Sequence, residues 1–180
     1  MHADRKIFAM LRACMLLLFL GIMPVICSAQ AGDAPKAYDL ETLRTLLKDG
    51  TVAKVQVLHA PDSMLTRVAV NPQSLRALAR ATKTFDQNLA GTFDPVFSGI
   101  AVKYGDHCTN VRLGGLFYLG ADLRWGVLFY DSQDREIAVL FVDKFGHDGC
   151  LDDTNVSFDA GVHGVDIATR LHEATGIPRG

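Results

Sequence analysis

Apolar residues in this chain fall into two periods, one helical and one alternating. In YDLETLRTLLKDG, Leu40, Leu43, Leu46 and Leu47 share one stripe, which predicts an amphipathic helix. Asp39 and Glu41 near its start, Lys48 near its end and Gly50 beyond it agree with helix termini. TVAKVQVLH then alternates, with Ala53, Val55 and Val57 on one side and Lys54 and Gln56 on the other. That is the pattern of a half-buried strand. Pro61-Asp62 turns the chain, and MLTRVAV follows as a second predicted strand. NPQSLRALARATKTF reads as one helix. Asn71 is a good N-cap and Pro72 suits the first helical turn. Leu75, Leu78, Ala79, Thr82 and Phe85 would form its buried face, with Arg76, Arg80 and Lys83 as a basic face beside it. A solvated helix face is the preferred account of that stripe, with an acidic partner or a phosphate as the functional alternative.

Beyond Val96 the pattern becomes strand-rich. FSGIAVKY, NVRLGGLFYL, LRWGVLFYD and EIAVLFVDKF carry the β-branched and aromatic residues that favour extended chain. The last two predict a hairpin joined around Ser132, Gln133 and Asp134. Trp125 to Tyr130 and Ile137 to Val142 are almost uninterrupted apolar runs, as expected of central strands covered on both faces. Gly114-Gly115 suits a bulge or bend within a strand. VSF adds a short strand. GVDIATRLHEATG predicts a closing helix with Val165, Ala168, Leu171 and His172 inward or at the boundary, ended by Gly176 and Pro178. The fold class expected is α+β, an antiparallel sheet of about five to six strands with two to three helices packed on it. Two occupants are open for the second sheet face: an edge segment or a second copy of the chain.

The N-terminal region changes the context of everything after it. MHADRKIFAMLR is basic, Ala13 to Ile26 is uncharged and apolar, and Ala29-Gln30-Ala31 has the small-x-small form of a cleavage site. Together these predict a secretory signal peptide over 1–31. The apolar stretch is short for a membrane span. Val25-Ile26 ahead of Cys27 is a poor match to a lipidation signal. A flexible lead over 32–37 and a single α+β domain over 38–180 are expected to follow, a periplasmic or secreted protein of about 150 residues. The whole chain has a formal net charge of −2, and removal of its basic start makes the remainder more acidic. A general nucleic-acid binder needs a basic face, so that class is set aside. Cys14 and Cys27 leave with the signal peptide. Cys108 and Cys150 remain as an even pair in an oxidising compartment, where a disulfide is the default. The chain-entropy account gives a loop of that size about 4 kcal/mol.

Candidate chemistry gathers around those cysteines. YGDHC brings Asp106 and His107 to Cys108, and FGHDGCLDD brings His147, Asp148, Asp152 and Asp153 to Cys150. A Cys–His nucleophile pair is one reading, since a thiolate needs a base and an orienting acid. Zinc held by His107, Cys108, His147 and Cys150 is a second, although only His147-x-x-Cys150 has the usual ligand spacing. Calcium on Asp148, Asp152, Asp153 and Asn155 is a third, without the EF-hand alternation. A stapled turn accounts for the same residues, because Asp, Asn and Gly serve turns. NVS at 155–157 matches a glycosylation acceptor, and His59 and His163 stand isolated. No GxSxG, HExxH, P-loop or dinucleotide fingerprint occurs. No cofactor is therefore expected and no metal is assigned. The preferred reading is an exported non-enzymatic binding module of inhibitor or immunity type, acting on another envelope protein, with a homodimer open. The alternative is a small envelope hydrolase using the His, Asp and Cys residues of the 106–108 and 147–153 loops.

Overall fold

The computed structural model describes residues 36–37, 39–66, 69–108, 122–152, 154–159 and 166–180, with the backbone alone for Gln87, Asp106 and His107. The predicted signal peptide, the strand NVRLGGLFYL with Gly114-Gly115, and Asp153, His163 and Val165 lie outside the described residues.

The elements in chain order are α1 (Leu40–Lys48), β1 (Lys54–His59), α2 (Pro72–Leu78), β2 (Ala81–Phe85), the one-turn helices α3 (Gln87–Ala90) and α4 (Asp94–Phe97), β3 (Ala101–His107), β4 (Leu123–Tyr130), β5 (Glu136–Asp143), β6 (Asp148–Leu151), β7 (Thr154–Asp159) and α5 (Ile167–Thr175). The architecture is α+β. Among the described residues seven strands join one antiparallel sheet in the order β2-β1-β4-β5-β6-β7-β3. Among the described residues no helix is long and apolar enough to cross a membrane.

β4 and β5 occupy the middle, as their unbroken apolar runs predict, and both of their faces are covered. Trp125, Val127 and Phe129 of β4 and Leu140 and Val142 of β5 point into one cluster with Leu43 and Leu47 of α1, Phe97 of α4 and Leu171 of α5. Leu128, Val139 and Phe141 point the other way and meet Leu75 of α2, Leu58 and Cys150. The second face is thus closed by α2 and the region of the cysteine pair. Gly126 lies opposite Phe141 in register, and a Cβ built there would stand 3.2 Å from the Phe141 ring. The small residue lets that ring lie over the sheet.

The described strands outnumber the five to six expected, and two further expectations are corrected. The helix predicted over 71–85 stops at Leu78. Asn71 caps it by accepting the Ser74 N–H at 2.8 Å, but Ala79 turns to φ −55°, ψ 126°. The Arg80 N–H then bonds the His59 carbonyl at 2.9 Å. ATKTF becomes β2, paired with β1 from Val55↔Phe85 to His59↔Ala81. Thr82 and Thr84 favour that extended chain, and an open edge of β1 supplies the partner. Arg76, Arg80 and Lys83 therefore sit on a helix, a bend and a strand instead of on one helical face. The second correction is MLTRVAV: its described residues, 64–66 and 69–70, form no strand. Val70 instead donates its N–H to Asp122 Oδ1 and accepts the Leu123 N–H, both at 3.0 Å. The closing helix agrees with expectation. Asp166 caps it by accepting the Thr169 N–H at 2.7 Å, and Gly176 ends it at φ 66°.

Candidate functional site

FGHDGCLDD forms a tight hairpin and a strand, so its second half is sheet and not loop. The chain turns at 144–147 and re-enters the sheet as β6, between β5 and β7. Asp143 organises the turn by accepting the His147 N–H at 2.9 Å and the Asp148 N–H at 3.3 Å. It is buried, and that burial pushes its carboxyl pKa up. His147 and Asp148 are exposed. Asp148 accepts the Ser157 hydroxyl at 2.7 Å, and His147 stacks on exposed Phe145 at 6.4 Å between ring centroids. Asp152, at φ 52°, closes the turn from β6 to β7. Its Oδ1 accepts the Val139 N–H, and its own N–H bonds the Val139 carbonyl.

Cys150 is buried on β6 and bridged to Cys108, with Cα atoms 6.1 Å apart. The bridge joins chain at the end of β3 to β6, two strands separated in the sheet by β7. Bridged sulfurs are not the thiolates on which the nucleophile and zinc readings depend. Asp106 and His107 close β3. Among the described residues, no group of three or more His, Cys, Asp or Glu side chains is placed to hold a metal ion.

The three basic residues are dispersed. Arg76 lies over the Phe141 ring, 5.8 Å from its centroid, and pairs with Glu136 at 3.4 Å. Lys83 donates to the Thr175 carbonyl at the end of α5, at 2.6 Å. Arg80 is exposed at the bend before β2. Arg76 borders an open groove of about 640 Å³ between α2, β5 and the β6–β7 turn. Val139, Phe141 and Leu151 provide its apolar lining, and Glu136 and Asp152 bring acidic groups beside Arg76.

A second polar cluster escaped the sequence reading. His59 ends β1 directly opposite Trp125 of β4, with ring centroids 4.1 Å apart, and is 1% exposed. Its Nε2 lies 3.8 Å from Asp62 Oδ1. Burial, then the positive charges of Arg124, Arg179 and His172, push the His59 pKa down to about 4. Burial pushes Asp62 up, with Arg179 and Arg124 opposing it. Arg124 is buried and fully engaged: Nη1 donates to the Pro61 carbonyl at 3.0 Å, and Nη2 donates to Asp122 at 2.6 Å. Segment 177–180 runs alongside, with the Arg179 carbonyl accepting the Asp62 N–H at 2.9 Å. HAPD in the sequence places an acid three residues after His59, but that spacing has no meaning until Trp125 is laid against it.

No protein-family model, curated protein or solved structure matches the chain.

Proposed function

We propose that the chain is an exported binding module that holds a protein partner of the cell envelope in the groove between α2, β5 and the β6–β7 turn. The observation that carries this reading is the use made of the candidate catalytic side chains. Cys150 is spent on the bridge, Asp143 and Asp152 on turns, and Asp148 on Ser157. Catalysis needs a nucleophile, base and acid converging on one cleft, whereas these groups hold strands together. The groove sets a half-exposed arginine beside Glu136 and Asp152, over a floor made by the buried Val139 and Phe141. An acidic side chain of the partner would compete with Glu136 for Arg76. The predicted signal peptide and the bridge support an oxidising compartment outside the cytoplasm.

The test uses the purified chain as bait in an extracytoplasmic extract. The reading expects one stoichiometric protein, retained by the native chain and lost with Arg76→Glu. A turned-over cell-wall fragment, or capture indifferent to Arg76→Glu, contradicts it.

A further inference from the structure

We propose that His59, Asp62 and Trp125 enclose an internal binding site for one water molecule, held between the end of β1, β4 and the turn at 61–63. Three polar atoms define it: His59 Nε2, Asp62 Oδ1 and Trp125 Nε1 are each shielded from solvent and have no hydrogen-bond partner among the described residues. Leaving such a group unpaired is destabilising, and buried polar groups in native proteins nearly always find a partner. The 3.8 Å between Nε2 and Oδ1 is too long for a direct bond. It is short enough for one water to bridge both atoms.

The chemistry of the three atoms selects water over an ion. Trp125 Nε1–H only donates and the Asp62 carboxylate only accepts. A water that accepts from Trp125 and donates to Asp62 keeps one proton and one lone pair, so it can serve His59 Nε2 in either neutral tautomer. That makes three bonds, the usual number for buried water. Arg124 and Arg179 disfavour a cation here, and the Asp62 carboxylate disfavours an anion. The depressed His59 pKa agrees with a neutral ring.

Rotating-frame NMR on the purified, isotope-labelled chain at neutral pH tests the proposal. A bound water gives a cross-peak between the water resonance and the Trp125 indole proton, opposite in sign to the diagonal and so distinct from proton exchange. Magnetic relaxation dispersion should count one fewer long-lived water in Trp125→Phe. If that variant does not fold, the cross-peak in the native chain decides alone. Absence of the water cross-peak, meaning that His59 bonds Asp62 directly, overturns the proposal. So does an unchanged water count in folded Trp125→Phe.

Discussion

Asp152 and Val139 hold each other by two reciprocal bonds: the Asp152 N–H reaches the Val139 carbonyl at 2.7 Å, and the Val139 N–H reaches Asp152 Oδ1 at 3.0 Å. The second bond replaces sheet pairing that β6 is too short to provide, since its register with β5 ends at Leu140↔Leu151. An acid that composition would assign to catalysis or calcium thus completes the hydrogen bonding of a central strand.

Asp152→Ala should therefore destabilise the chain by about 1–3 kcal/mol, because the buried Val139 N–H loses its acceptor. Asp152→Asn keeps an acceptor oxygen and should cost less. Urea denaturation of the two variants against the native chain measures the difference. Equal stability of Asp152→Ala and the native chain would contradict this role.

Gly149 is constrained by backbone. A Cβ there would stand 2.1 Å from the Phe141 carbonyl oxygen, and a backbone atom cannot step aside as a flexible side chain can. Gly149→Ala should force β6 away from β5, with a cost of about 3 kcal/mol or more. Gly126→Ala meets only the Phe141 ring, at 3.2 Å, and should be milder. Thermal midpoints of the two variants should rank in that order.

Replacing both Cys108 and Cys150 by serine should lower stability by about 2–4 kcal/mol. Cys150 is buried and packed against the α2 face, so the loss combines loop closure with packing. Non-reducing peptide mapping should recover one Cys108–Cys150 peptide from the native chain. Two free thiols would contradict the bridge.

His59 sets the acid limb of stability. Its folded pKa is about 4, against about 6.5 when unfolded. Between those values the unfolded chain binds more protons, so stability rises with pH across the interval. The contribution is complete above about pH 6.5 and is lost as pH falls towards 4, in total about 3 kcal/mol. Asp62 and Asp143 are shifted upward, so they act in the opposite sense just above the ordinary carboxylate range. Comparison with His59→Gln isolates the histidine: the native chain should lose more stability than the variant between pH 6.5 and 5. Parallel pH profiles would contradict the assignment.

How much of this is legible in the sequence depends on where each signal resides. The runs Trp125–Tyr130 and Ile137–Val142 announce central strands by themselves, and both faces prove to be covered. Asn71-Pro72 announces the start of a helix, and the structure begins α2 there. Its end is not legible, because Leu78, Thr82 and Phe85 keep helical spacing while ATKTF also suits a strand. Pairing with β1 decides between them. Count and compartment pair the cysteines, but a segment dense in Gly and Asp does not show that Cys150 sits inside the sheet. His59 was the hardest to read. Nothing local marks it, and its environment comes from Trp125, Arg124 and Arg179, which only the folded chain brings together.

The most direct test compares two folded variants in one partner-capture assay. The first, His147→Ala with Asp148→Asn, alters exposed side chains of the candidate catalytic segment and should change stability by about 0.5 kcal/mol or less. The second, Arg76→Glu, reverses the charge at the groove. The account predicts stoichiometric capture by the first and lost capture by the second, with both chains folded. Loss of capture or of a measured turnover in the first variant, with the second unaffected, would contradict it.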